Sequence, residues 1–332
     1  SVRDAFSLPQ SALGAISVAF GTGYFLSSFF SGQLTQTLGI GSLLAASTLL
    51  VATALLGNAL SPVWMIFVAC GALWGLGSGA IDAGLNTFAA SHFSARHVNW
   101  LHACYSLGAT LGPLLMTAAI VRAGSWRLGY GTIAAIVLAL AIGFAMTRKL
   151  WDDPVAAGAT VSPSTATMWQ TLQQPLVWLQ VLLFFHYTGL EFLIGQWCFT
   201  LLVESRGFTT TSAGLIASGY FGAILCGRIF LGAVADRIGV DRLVRMSLVS
   251  ALAGAVLFAS LRYSALSIAG LGLLGLGLAP VFPCLMSRTP QRLGRSLAAH
   301  AVGFQVSAAT LGAATWPALS GLIAQRSGLE AI

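Results

Sequence analysis

The chain has 332 residues, of which 57% are hydrophobic and 8% charged, against about a quarter charged in an ordinary soluble domain. A water-soluble fold of that composition would lack a surface. The formal charge of +7 is dispersed over short loops rather than gathered on one face, which argues against a nucleic-acid partner and fits basic loops beside a lipid bilayer.

Between Asp4 and Asp82 there is no Asp, Glu, Lys or Arg. At about 20 residues per crossing that stretch holds three spans. Taken along the whole chain, apolar runs separated by short polar turns predict ten helices, over 11–37, 42–59, 63–90, 98–121, 127–147, 176–203, 211–236, 243–261, 264–287 and 297–324. The interval 152–174, rich in Pro, Ser, Thr and Ala, reads as a flexible linker in which Trp169 is a candidate interfacial anchor. The expected division is an N-terminal helical half over 1–150, a cytoplasmic linker over 151–175 and a C-terminal half over 176–332. Cys70, Cys104, Cys198, Cys226 and Cys284 all fall in apolar runs without CxxC spacing, so they read as small buried hydrophobes. No metal site and no cofactor is implied.

The two halves repeat one another at a fixed offset. Gly32 and Gly39 return as Gly232 and Gly239, Gly75-Leu76-Gly77 as Gly275-Leu276-Gly277, and Ala109-Thr110-Leu111-Gly112 as Ala309-Thr310-Leu311-Gly312. One such block would mean little in helices rich in Ala, Gly and Leu; three blocks 200 positions apart indicate two pseudo-symmetric halves, with 11–121 expected to superpose on 211–321. The offset also leaves the helix at 176–203 and that at 127–147 without counterparts. The chain does not begin with Met, and the expectation is an all-α bundle of 6+6 helices in which 5+5 are present, lacking the first and the last.

If the linker is cytoplasmic, that side receives Arg96, Arg148, Lys149, Arg237, Arg242, Arg245, Arg288, Arg292 and Arg295. The other side receives Arg3, Arg122, Arg127, Arg206, Arg262 and Arg326. Nine against six agrees with the positive-inside rule.

The run Gly227-Arg228-Ile229-Phe230-Leu231-Gly232-Ala233-Val234-Ala235-Asp236-Arg237-Ile238-Gly239-Val240-Asp241-Arg242 resembles the cytoplasmic loop signature of the major facilitator superfamily. In the first half the glycines of that signature remain at Gly32 and Gly39, while the acid and base are replaced by Gln36 and Thr37. The resemblance implies that Arg228, Gly232, Asp236, Arg237, Gly239 and Arg242 form a conformational loop motif, the competing reading being a solvated loop pair. The segments 79–87, 99–103, 189–197 and 277–283 are similar to the branch of that superfamily holding fucose permeases and sodium-dependent glucose transporters. That resemblance covers nearly the whole chain and implies a transporter fold.

Of nine acidic residues, Asp82 and Glu191 lie well inside spans. A carboxylate there must be paired, protonated or in contact with a water-filled cavity. Asn86 lies four residues after Asp82 and Tyr187 four before Glu191, so each pair shares a helix face. Glu191, the sole acid between Asp153 and Glu204, is expected to be the principal proton-linked or substrate-binding acid; for Asp82 a structural acid is an equal reading. Asn99 and His102 are candidates to face Asp82 and Asn86. Gln196, Trp197 and Trp100 are candidate sugar contacts by hydrogen bonding and ring stacking, while His186, His300 and Gln305 rank lower. Gly189 and Gly195, flanking Glu191, either loosen that helix or pack against a neighbour.

The expected function is secondary active transport of a small solute by alternating access, with proton-coupled uptake of a sugar-like substrate first and a proton-driven drug or metabolite exporter second. A non-transporting remnant is a third reading. The expected partners are that small molecule, protons and the bilayer, with a monomeric chain in a bacterial inner membrane. The chain shows no G-x-S-x-G, HExxH or G-x-G-D, so no hydrolase is indicated.

Overall fold

The computed structural model describes residues 2–151, 166–260 and 265–332. Most of the expected linker, 152–165, and Arg262 lie outside the described residues, as do Asp152 and Asp153. The described residues form helices and no strand. In chain order these are α1 Val2–Ala5, α2 Gly14–Phe29, α3 Ser31–Leu38, α4 Ile40–Leu60, α5 Trp64–His92, α6 Ala95–Ala123, α7 Trp126–Thr147, α8 Met168–Leu172, α9 Pro175–Thr200, α10 Thr210–Ile238, α11 Val240–Ser260, α12 Ala265–Leu278, α13 Val281–Ser287, α14 Thr289–Leu293 and α15 Arg295–Ser327. With no water in the bilayer core, a span must satisfy its own backbone, and a helix does so.

Among the described residues nine helices are long and apolar enough to cross a membrane, against ten expected. The difference lies at 11–37, where α2 and α3 are interrupted at Phe30 (φ −90, ψ 3). The ladder bridges the interruption: Phe30 N–H bonds the carbonyl of Leu26 at 3.1 Å, and Leu34 N–H bonds that of Phe30 at 3.0 Å. The path from Gly14 to Leu38 therefore runs on as a bent helix of about 37 Å. A second break separates α12 from α13 inside the expected helix 264–287. Pro280 and Pro283 remove two N–H groups within one turn, which frees carbonyls behind them. Beyond Thr200 the chain continues as a π-turn, Leu201–Ser205.

The internal repeat appears as matched contacts. A Cβ at Gly77 would come 2.7 Å from the Ser47 carbonyl, and one at Gly277 would come 2.7 Å from the Ser247 carbonyl. Likewise Gly75 abuts the backbone of Phe20 and Gly275 that of Tyr220. Each pair differs by 200 positions on both sides of the contact, so these glycines hold equivalent helix crossings. Gly39 (φ 77) and Gly239 (φ 89) end α3 and α10 in a backbone region that only glycine adopts without strain.

Contacts divide the chain into two units. The first comprises Ser1–Phe88, Thr110–Gln180 and Pro290–Thr310. In it α4 lies along α7, joined by Val51, Leu55 and Ala134 with Trp74 and Tyr130 packed around them. Arg127, expected as a loop cation, donates to the carbonyls of Ala59 and Ser61 at 2.7 and 2.9 Å, closing the C-terminus of α4.

The second unit comprises Ala89–Ala109, Val181–Thr289 and Leu311–Ile332. Ala95, Ala235, Leu243 and Cys284 form a core in it. Arg206 is buried too: it grips Glu330 through Nε and Nη2 (3.0 and 3.1 Å) and donates to the Phe258 carbonyl and Ser267 Oγ. Not all cysteines are buried as expected. Cys198 and Cys284 are, but Cys104 and Cys226 are exposed.

Candidate functional site

Two intramembrane carboxylates survive as the polar centres, one in each unit, and their surroundings differ. In the first unit Asp82 sits on α5 with both oxygens occupied. Tyr24 on α2 donates its hydroxyl to Oδ2 at 2.6 Å, and Asn86 Nδ2 donates to Oδ1 at 2.8 Å. Tyr24 reaches Asp82 because α2 passes directly over Gly79, where a Cβ would come 2.7 Å from Ser28 Oγ. The expected pairing of Asp82 with Asn86 on one face is present, and Asn86 is 1% exposed. Both donors are neutral, and among the described residues no cation bonds Asp82.

In the second unit Glu191 on α9 has a charged partner. Arg228 Nη2 lies 3.1 Å from Oε1, with side-chain exposures of 7% and 13% for arginine and glutamate. Arg228 Nη1 donates to Ser106 Oγ at 2.6 Å, and Ser106 in turn donates to the His102 carbonyl, so its lone pairs are aimed at the guanidinium. Arg228 Nε is buried and without a partner among the described residues. Arg228, grouped by resemblance with the loop motif, thus also takes part in this intramembrane centre. The helix α10 runs unbroken to Ile238, which places Arg228 ten residues, about 15 Å, inside the span. Burying it without an anion would cost several kcal/mol, and Glu191 removes that cost.

Tyr187 completes this centre. Its Oη lies 2.7 Å from Glu191 Oε2 and 2.7 Å from the Leu278 carbonyl, which is the last residue of α12 before the Pro280 break. A phenol has one hydrogen, so it can donate to only one of these oxygens at a time. Tyr220 adds a hydrogen bond to the Glu191 carbonyl at 3.3 Å.

The remaining candidates sit as follows. Asn99 donates to the Ala95 carbonyl at 2.9 Å and lies against Gly232, where a Cβ would come 2.5 Å from its own Cβ. The His102 ring packs edge-on to Phe282 at 4.9 Å. Asn99 and His102 thus contact α10 and α13 within the second unit. Trp197 donates to the Pro317 carbonyl at 3.0 Å, Trp100 to that of Ile229 at 3.3 Å, and Gln196 is exposed. Gly189 and Gly195 are packing glycines, set against Trp316 and Phe221, and α9 is regular across both. Gln305 bonds Gln180, while His300 is buried with its ring beside Gly32.

In the loop motif, Asp236 accepts a hydrogen bond from Ser94 Oγ at 2.7 Å, at the N-terminus of α6, where the helix dipole favours an anion. Gln36, its first-half counterpart, donates instead to the Ala166 carbonyl at 3.0 Å. Arg288 bonds Asp241 at 2.9 Å. Among the described residues no group of three or more His, Cys, Asp or Glu is placed to hold a metal.

These features define a polytopic helical membrane protein with ionisable groups held inside its spans. The sequence profile of the Major Facilitator Superfamily matches residues 1–330, and the chain belongs to that family of transporters. It is 25% identical over 348 aligned positions, spanning 93% of this chain and 69% of the relative, to Bypass of stop codon protein 6 of Saccharomyces cerevisiae. Among solved structures it is similar to the E. coli fucose:proton symporter FucP (TM-score 0.80, 18% identity, covering 97% of this chain and 87% of that one). It is also similar to the human organic anion transporter MFSD10 (TM-score 0.71, 20% identity, 99% and 83%). At these identities the structural likeness is one of fold.

Proposed function

We propose that the chain moves a small hydroxyl-bearing solute of the monosaccharide class across the membrane by alternating access, coupled to protons, with Asp82 carrying the proton and Glu191, Arg228 and Tyr187 binding the solute. The carrying observation is the contrast between the two carboxylates. Glu191 has an arginine beside it and is charge-compensated without a proton. Asp82 has only neutral donors, so its burial leaves no net charge only when it is protonated. The two halves over 1–150 and 176–332, with the linker over 151–175, are the domains of this reading, and a bacterial inner membrane is its setting. A monosaccharide offers many hydroxyls, each able to accept from Arg228 Nε and to donate to Glu191.

Counterflow in proteoliposomes tests this reading. Vesicles loaded with unlabelled L-fucose, D-xylose or D-glucose should exchange at least one labelled sugar. Exchange of organic anions with none of these sugars would reject it. That outcome is the second reading, favoured by the unpartnered Nε of Arg228 and by the family likeness to an organic anion transporter.

The Asp236 hydrogen bond belongs to the same cycle. We expect Asp236→Asn and Ser94→Ala each to slow exchange several-fold by destabilising the state in which α6 and α10 meet, with Gln36→Ala having little effect. Equal slowing by all three would remove the role given to Asp236.

A further inference from the structure

The packing of α4 on α7 leaves a groove of about 300 Å³ on the outer surface of the first unit. Both walls are apolar and carry alanines, Ala45 and Ala46 beside Leu49 on one side and Ala141 and Ala145 beside Ile142 on the other, with Ser42 also in the lining and Arg148 at one end. Next to Arg148, Gly41 lies against the Arg148 backbone, with a Cβ there 2.7 Å from its carbonyl carbon, so the two helices meet closely beside the guanidinium. From the level of Leu138 to Arg148 the groove follows ten residues of helix, about 15 Å, half the roughly 30 Å thickness of the hydrocarbon core. It has the depth of one leaflet.

From this geometry we infer that the groove is a binding site for an anionic phospholipid, with one acyl chain along the alanine walls and the phosphate on Arg148. The walls supply almost no hydrogen-bonding groups, which excludes a sugar. The end of the groove is cationic: Arg148 and the adjacent Lys149 are exposed, and neither has an acidic partner among the described residues. Arginine pairs bidentately with phosphate, and the second cation favours a headgroup of net negative charge over a zwitterionic one.

The test is native mass spectrometry of the full delipidated chain, titrated with phosphatidylglycerol or phosphatidylcholine of the same acyl composition. The wild type should retain phosphatidylglycerol with about a fivefold preference, as expected for one basic side chain near the surface. Arg148→Gln should abolish the preference while leaving phosphatidylcholine retention unchanged. Ala145→Leu, which fills the groove, should lower retention of both lipids. If Ala145→Leu fails to fold, Arg148→Gln, a change at an exposed side chain, still decides the matter. Equal retention of the two lipids by wild type overturns the proposal. So does a preference that survives Arg148→Gln, or one lost only in Lys149→Gln, which would place the headgroup on exposed charge outside the groove.

Discussion

Replacing Arg228 by Gln should destabilise the protein by about 3–5 kcal/mol, and replacing Glu191 by Gln in the same chain should recover most of that loss. The single change leaves a carboxylate inside the span with its counter-ion gone, whereas the double change leaves two amides that can bond one another, Ser106 and Tyr187. Chemical unfolding of the four proteins of the cycle gives the coupling directly. A coupling of at least about 2 kcal/mol is expected, near the upper end for contacting residues. Additive losses would mean that the 3.1 Å contact contributes nothing beyond what each residue does alone.

The second large effect concerns Asp82. Asp82→Asn keeps the size of the side chain and an acceptor for Tyr24, but it cannot exchange a proton. Accumulation driven by a pH gradient should fall to the level of empty vesicles, while counterflow persists within a few-fold of wild type. Glu191→Gln should do the reverse, weakening counterflow, because it removes the charge that holds Arg228 and leaves one acceptor oxygen where the carboxylate offered Arg228 and Tyr187 two. Loss of pH-driven accumulation in Glu191→Gln with intact counterflow would give the coupling role to Glu191, one of the two roles its sequence position leaves open.

The difference between those two assignments shows what the sequence carried. Residues four apart on a helix must share a face, so the Asn86–Asp82 and Tyr187–Glu191 contacts were readable from spacing. The repeat was readable too, because an offset of 200 positions recurs in three blocks and each half packs the same glycines on the same carbonyls. Arg228 was not. Attention to acids inside spans left the bases to the loops, and Arg228 stands eight residues before Asp236 in a recognised loop motif. Its own signal was present: an arginine between Cys226 and Ile229 in an apolar run, too far from the helix end to reach water without a partner.

Helix breaks were the other gap. Pro113 and Pro317 sit inside continuous helices, so a proline alone does not mark an interruption in these spans. At Pro280 and Pro283 two prolines three residues apart do, and beside the break Tyr187 bonds the Leu278 carbonyl, a pairing between segments 91 positions apart. The bend at Phe30 has no proline or glycine at the residue itself, and the ladder across it is intact. The Ser31-Gly32 pair that follows it is the local signal for a bend.

The most direct test of proton-coupled solute movement is the pH inside proteoliposomes that hold a trapped pH-sensitive dye. Adding a monosaccharide outside, with no pH gradient imposed, should acidify the lumen in wild type and not in Asp82→Asn. Acidification in Asp82→Asn equal to wild type, or sugar entry into wild-type vesicles with no change in lumenal pH, would contradict the assignment of the proton to Asp82.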